Sequence, residues 1–225
     1  YASMIEAMDK SLGDIMDYVE QRGVADHTII LFMSDNGGLS AVVRGGDKHR
    51  HNRPLSSGKG SAHEGGVRVP MLVKWPQVSE AGSVCRHPLI IEDFFPSILE
   101  LAGVEEYQTV QSIDGQSFVP MLRNPTRGIP SRALYWHYPN QWGPEGPGIG
   151  ATSTILKDDW KLIYYHHDQS FELFNLQTDI SERTNLATKN PPKVAELSRL
   201  LGDQLKQSQA QMPRFKDGGS VVPYP

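Results

Sequence analysis

The stretch Thr28-Ile29-Ile30-Leu31-Phe32-Met33-Ser34-Asp35-Asn36-Gly37-Gly38 decides the fold class. Thr28 to Met33 is a short, almost continuously apolar run rich in β-branched residues, the pattern of a strand buried on both faces. Upstream, Met4, Ile5, Met8, Leu12, Ile15, Met16 and Val19 recur at helical spacing, which predicts an amphipathic helix to about Gln21 closed by Gly23. Helix, glycine turn and buried strand make α/β grammar. In open α/β sheets ligands bind beyond the carboxyl ends of strands, so Asp35 and Asn36 are well placed for chemistry. Both offer hard oxygens of the kind that hold Ca²⁺ or Mg²⁺, although the same residue types also build plain turns. Two such ligands do not complete a calcium shell, so others have to come from elsewhere.

Downstream lies a polar loop, Gly37 to Gly60. Its segment Arg44 to Arg53 carries four Lys/Arg and two His against one Asp, on a chain of net charge −4. That local cationic patch is either a solvated loop or a grip for an anionic substrate. The His49/His51 pair lacks the Cys or carboxylate support of a zinc site. Next comes Ser57-Gly58-Lys59-Gly60-Ser61-Ala62-His63-Glu64-Gly65-Gly66-Val67-Arg68-Val69-Pro70, which leads into a second strand, Val69 to Trp75. The glycines let a backbone approach a ligand closely. This is not a nucleotide-binding P-loop, because Gly60 follows Lys59 where Ser or Thr is needed. A lysine about 4 Å from an oxyanion gains roughly 4 kcal/mol at an effective dielectric of 20, a magnitude relevant to sulfuryl or phosphoryl transfer.

Taken in order, these motifs resemble the C-terminal half of the type I sulfatases, members of the alkaline phosphatase superfamily. The helix carries Asp9 and Gly13; the buried strand, Ser34-Asp35-Asn36-Gly37, Gly58-Lys59-Gly60-Ser61 and Glu64-Gly65-Gly66-Val67-Arg68-Val69-Pro70 follow. The likeness continues through Ile91 to Gly103, Ile113-Asp114-Gly115-Gln116-Ser117-Phe118, and Asp159 to Ile163 with Glu172 to Leu176 and Asp179 to Leu186. The resemblance implies the C-terminal part of an alkaline-phosphatase-like sandwich over 1–122, a mixed sheet with flanking helices. It implies a small antiparallel subdomain over 123–225. It further implies that Asp35 and Asn36 are ligands to an active-site Ca²⁺ and that Lys59 contacts the sulfate ester and offsets its developing charge. Glu64 and Arg68 are expected as an ion pair shaping the loop that presents Lys59, and His63 as a solvent-facing loop residue or a substrate contact. Arg44 belongs to the cationic loop and is a further substrate-binding candidate.

The departures are as informative. The family nucleophile is a formylglycine made from Cys or Ser in Cys/Ser-x-Pro-x-Arg, and this sequence has no such motif. The single cysteine, Cys85, sits in Val84-Cys85-Arg86-His87-Pro88, on the wrong side of the lysine motif, and is expected as a buried or semi-buried thiol. The chain is therefore expected to be a piece of a longer enzyme, completed by an N-terminal half and inactive alone. The family also implies export to the periplasm or secretion. A phosphatase, phosphodiesterase or phosphonate hydrolase of the same superfamily is one alternative. A non-catalytic module gripping a sulfated glycan is another.

Beyond Arg123 the grammar changes. Ala133 to Tyr138, Ala151 to Lys157, Trp160 to His166 and Phe171 to Leu176 read as four short strands, two of them joined as a hairpin by the turn Lys157-Asp158-Asp159. After Pro191-Pro192, the apolar residues Val194, Leu197, Leu200, Leu201 and Leu205 predict a helix covering the sheet. His137, Tyr138 and Trp142 are expected either in the substrate pocket or as an aromatic cluster packed internally, and the tail Gln211 to Pro225 as irregular. One cysteine excludes a disulfide framework and a multi-cysteine zinc cage. Balanced charge, 22 basic against 26 acidic residues, argues against nucleic-acid binding, and no apolar run approaches the roughly 20 residues of a membrane span.

Overall fold

The computed structural model describes residues 1–39, 51–104, 106–127, 130–141, 146–216 and 218–225. Arg44 and Trp142 lie outside them. The chain forms two compact units, Tyr1–Met33 with Met71–Pro130, and Ser34–Pro70 with Ser131–Pro225. The segment carrying Asp35, Lys59 and Glu64 thus groups with the C-terminal residues and not with the strands that flank it in sequence.

In the first unit, helix α1 spans Ala2–Gln21 and ends as Gly23 turns the chain at φ +67°. Its apolar stripe is uncovered within this unit: Met4 is 72% exposed, and Ile15 and Tyr18 are exposed as well. Strand β1 (Ile30–Met33) pairs antiparallel with β2 (Met71–Lys74), Ile30 opposite Lys74 and Met33 opposite Met71. Burial of β1 on both faces does not hold here. Every residue of β1 is only partly covered, because β2 is its one partner among the described residues. Helix α3 (Phe94–Leu101) follows a short turn whose Asp93 is fully buried. Its carboxylate accepts from Ile90 N at 3.0 Å and Gln116 N at 2.9 Å, and Ser97 Oγ accepts from Phe118 N at 2.9 Å. These bonds hold the Asp114-Gly115-Gln116-Ser117 connection against α3 and seat Phe118 edge-on to Phe94, 5.2 Å between ring centres, ahead of the short helix α4 (Val119–Arg123). Cys85 is exposed, not buried. Its neighbours from Ala81 to Arg86 are open as well, and its sulfur lies 3.8 Å from the Met121 thioether.

The second unit contains the helical turn α2 (Glu64–Val67) and a four-stranded antiparallel sheet in the order β3 (Leu134–Tyr138), β4 (Thr152–Lys157), β5 (Trp160–Tyr165), β6 (Phe171–Asn175). Helix α5 (Pro191–Gln207) begins at Asn190, whose side chain accepts from Lys193 N. The hairpin between β4 and β5 closes on Asp158 and Asp159, both in the left-handed region at φ 49° and 62°, as a two-residue turn requires. Strand alternation divides the sheet. One face, with Ile155, Leu162, Tyr164 and Leu173, packs on Leu197, Leu201 and Leu205 of α5. The tail is irregular apart from a bridge between Arg214 and Val221, yet it is anchored: Met212 and Val222 join this core and Tyr164 Oη donates to Pro223 O. Among the described residues no helix is long and apolar enough to cross a membrane.

Leu201 is fully buried in that core. Leu201→Ala is expected to lower unfolding free energy by about 2–5 kcal/mol, read from a urea titration of the protein.

Candidate active site

Three sequence motifs meet in the second unit through backbone contact that only glycine permits. A Cβ on Gly37 would stand 1.7 Å from Gly65 O, one on Gly65 2.3 Å from Ser56 O, and one on Gly66 2.2 Å from Ser61 O. Gly37 N donates to Gly66 O at 3.0 Å, and Gly65 N to Ser56 O at 2.8 Å. The corner Ser34–Gly38 is thereby pressed onto α2. Asn52 completes the joint: its Oδ1 accepts from Gly38 N at 3.0 Å, and its Nδ2 donates to Gly38 O at 2.7 Å and Ser57 O at 2.9 Å. Lys59 N also donates to Gly38 O, at 3.1 Å. Asp35, Asn36 and Lys59 therefore belong to one framework, although 23 residues separate Asn36 from Lys59 in the chain.

On that framework the Lys59 side chain is exposed, and no carboxylate among the described residues pairs with it. Asp35 is exposed too, whereas Asn36 Oδ1 is buried with no hydrogen-bond partner among the described residues. A buried amide oxygen without a donor is costly unless something absent from the chain satisfies it. A hard cation fits that orphan and its neighbouring carboxylate. Among the described residues no group of three or more His, Cys, Asp or Glu could hold a metal ion.

Beneath the loop lies a charge cluster that sequence reasoning did not find. Lys161, on β5, projects from the sheet face opposite α5 and is completely buried. Its Nζ donates to Glu64 Oε1 at 2.9 Å and lies 2.9 Å from Glu182 Oε1. The second contact is ionic and not an aligned hydrogen bond. Glu64 also pairs with Arg68, and Glu64 N donates to Glu182 Oε2 at 2.6 Å. Burial alone would raise the Glu64 pKa, but Lys161 and Arg68 together hold it below the ordinary carboxylate range. For Glu182 burial prevails over Lys161 and His63, and its pKa is raised.

His63 is 3% exposed, so the solvent-facing reading is wrong, and both ring nitrogens meet protein. Nε2 contacts Glu172 Oε2 at 2.9 Å, Nδ1 contacts Ser56 Oγ at 2.9 Å, and the ring stands edge-on to Phe174 at 5.4 Å. Its burial has a simple cause: Ala62 N donates to Gly148 O, and Ser61 Oγ to Pro147 O, which draw the Ser61–His63 backbone under the 146–150 segment. Glu172 accepts from Tyr165 Oη at 2.6 Å as well. Burial would raise the Glu172 pKa, yet the bonds from His63 and Tyr165 bring it down. Tyr165 is raised, by burial first and then by Glu172.

His137 is not brought to Lys59. Strand pairing puts it opposite Ser153, on the α5 side of the sheet, where its ring contacts Ser153 Oγ at 2.7 Å and Gln211 O at 3.0 Å. Ser153 Oγ in turn meets His166 Nε2 at 2.9 Å, and burial followed by the neighbouring His137 lowers the His166 pKa to about 4. The pocket reading of His137 thus gives way to an internal polar–aromatic cluster with Tyr164, while Tyr138 at the strand end stays exposed. The local signal of Lys161 is only a lysine inside the otherwise apolar run Trp160–Tyr165, which marks a strand and does not name the lysine's partners.

Comparison with known proteins fits this geometry. A sulfatase family model matches residues 1–104, and the C-terminal model of N-sulphoglucosamine sulphohydrolase matches residues 58–211. A "Sulfatase" of Formosa agariphila is 30% identical over 243 residues, covering 100% of this chain and 43% of its own length. Human Arylsulfatase H is 31% identical, covering 85% of this chain and 38% of its own length. The chain thus spans about two fifths of the length of these relatives. Among solved structures, a protein in complex with its substrate D-glucosamine-2-N,6-O-disulfate superposes with a TM-score of 0.70 at 26% identity, over 93% of this chain and 40% of that one. Ps i-CgsB in complex with a neocarrahexaose gives 0.67 at 30%, over 93% and 42%. A phosphonate monoester hydrolase from Silicibacter pomeroyi shares the fold, with a TM-score of 0.63 at 21% identity, over 95% and 42%.

Removing Lys161 would leave Glu64 and Glu182 buried and facing each other. Lys161→Met is expected to cost about 3–5 kcal/mol in chemical denaturation, and adding Glu64→Gln and Glu182→Gln to it to recover most of that loss. Glu64 and Glu172, with depressed pKa values, stabilise the fold above the ordinary carboxylate range and lose that contribution as pH falls through their folded values. Glu182 acts in the opposite sense.

Proposed function

This chain belongs to the sulfatases, and on that premise we propose that the protein hydrolyses a sulfate ester, carried on a sulfated sugar in preference to a small aryl sulfate. The observation that carries the reading is Lys59: exposed, without a carboxylate partner among the described residues, and tied through Gly38 to the Asp35-Asn36 corner. Support for a sugar comes from relatives. An N-acetylglucosamine-6-O-sulfatase of Bacteroides thetaiotaomicron is 28% identical over 222 residues, and two of the similar structures hold a sulfated glucosamine and a neocarrahexaose. The cationic segment 44–53 points the same way.

Each residue has a physical task. The Lys59 ammonium attracts the sulfuryl oxygens and offsets the charge that grows on them as the ester bond breaks, a gain of roughly 4 kcal/mol at 4 Å and an effective dielectric of 20. Asp35 and Asn36 would hold part of the shell of a Ca²⁺ ion, which when bound supplies a fixed positive centre for the ester oxygens. Glu64, Arg68 and Lys161 touch no substrate in this scheme; they fix the backbone from which Lys59 projects. The attacking group belongs to the formylglycine motif of the family, which this sequence lacks, so residues 1–225 supply the lysine and metal corner only.

Lys59→Ala in the complete enzyme is expected to lower kcat/KM for a sulfated monosaccharide by about 10²–10³-fold while leaving the melting temperature in place. The protein comprising residues 1–225 alone is expected to show no hydrolysis of 4-nitrophenyl sulfate. A clear rate there would overturn the division of labour proposed, and full activity of the Lys59 variant would overturn the role of Lys59.

A further inference from the structure

The second unit carries a cleft of about 490 Å³ whose walls are Arg53-Pro54-Leu55-Ser56 on one side and Ser181 with Arg183 on the other. Both arginines are exposed, and neither is paired with a carboxylate among the described residues. That is unusual company on a chain with 26 acidic against 22 basic residues. Two guanidiniums at one concave site repel each other, and an anion between them relieves that repulsion while using their planar donor geometry.

Both walls are fixed beforehand. Ser56 is held by its carbonyl, which accepts from Gly65 N at 2.8 Å, and by its hydroxyl, bonded to His63. The opposite wall is a turn organised by Asp179, whose carboxylate accepts from Arg183 N at 2.8 Å and Thr184 N at 2.9 Å. Within that turn Glu182 takes the left-handed region at φ 51° and sends its carboxylate inward to Lys161 and Glu64 N. Its neighbours Ser181 and Arg183 are left facing the cleft. The walls are thus joined from behind by the buried charge cluster, and little ordering remains for a ligand to impose. Arg53 directly follows Asn52, the residue that clamps Gly38 to the Lys59 loop.

We propose that this cleft is an anion subsite that holds a second negatively charged group of the glycan, the carboxylate of a uronic acid linked to the sulfated sugar, through Arg53 and Arg183. Pro54 and Leu55 give the sugar ring an apolar surface. The inference deepens the sulfatase reading and rests on it for the identity of the ligand.

The test compares a sulfated hexosamine with the disaccharide that joins it to a uronic acid, using the complete enzyme and its R53Q, R183Q and R199Q variants. Arg199 lies on α5, paired with Asp203, and controls for loss of charge alone. R53Q and R183Q are expected each to raise KM for the disaccharide about ten- to a hundredfold, with kcat and the monosaccharide KM unchanged and R199Q like wild type. Calorimetric titration of the desulfated disaccharide, which keeps the carboxylate and has no ester to cleave, reads the same difference without turnover. If the wild-type enzyme hydrolyses neither compound but calorimetry shows the arginine dependence, the subsite stands and the hydrolase reading fails. If hydrolysis is normal and R53Q and R183Q bind the disaccharide as wild type does, or R199Q weakens it equally, the subsite is overturned and the hydrolase reading stands.

Discussion

Lys161 is the point on which the second unit depends. An ammonium with no exposed surface is costly to bury unless carboxylates meet it, and here Glu64 and Glu182 do so from two different segments. Glu64 opens α2 in the loop that carries Lys59; Glu182 belongs to the turn after β6. One ammonium on β5 therefore binds a loop from early in the chain and a turn from late in it to the same sheet face, across a separation of 97 residues in the case of Glu64. The pairing need not exceed a well-packed apolar alternative in stability. What it supplies is position, because the two carboxylates can be satisfied together only when loop, turn and strand are in register.

Glycine contact sets the other half of the geometry. Gly37, Gly65 and Gly66 permit approaches that a methyl group would forbid by more than an ångström, so the Asp35-Asn36 corner lies directly on the helical turn that follows Lys59. Buried charge pins α2 from the sheet side, and close backbone packing pins the corner to α2. Both constraints act on a four-residue helix that has little stability of its own.

Periodicity made much of this legible. The four strands, the Asp158-Asp159 turn and the helix after Pro191-Pro192 follow from alternation, left-handed turn residues and a helical apolar stripe, all of them local signals. The motif glycines were legible as points of close approach, though not what they approach. Lys161 was hidden because its partners lie far away in sequence, and a run such as Trp160–Tyr165 reads as a strand whether or not its lysine is covered. His63 was misjudged for a related reason. A histidine between glycine-rich loops looks exposed until residues 146–150 are known to lie over it. His137 followed from alternation alone, had the α5-facing side been assigned first: pairing with Ser153 puts it on the side of Ile155 and Tyr164.

These points together explain why Lys59 is the cation the loop presents. Between Ser57 and Pro70 there are three basic side chains, Lys59, His63 and Arg68. Arg68 is taken by Glu64, and His63 by Glu172 and Ser56. Both carboxylates sit below the ordinary range in pKa because of those contacts, so they stay ionised and keep their partners near neutral pH. Lys59, between Gly58 and Gly60, is exposed and pairs with no carboxylate among the described residues. An ammonium with a carboxylate neighbour would be half neutralised before an anionic ester arrived; one held apart from the loop's own acids keeps its full field for it. The cluster beneath the loop thus absorbs the other charges the loop carries, which leaves Lys59 for the role proposed for it.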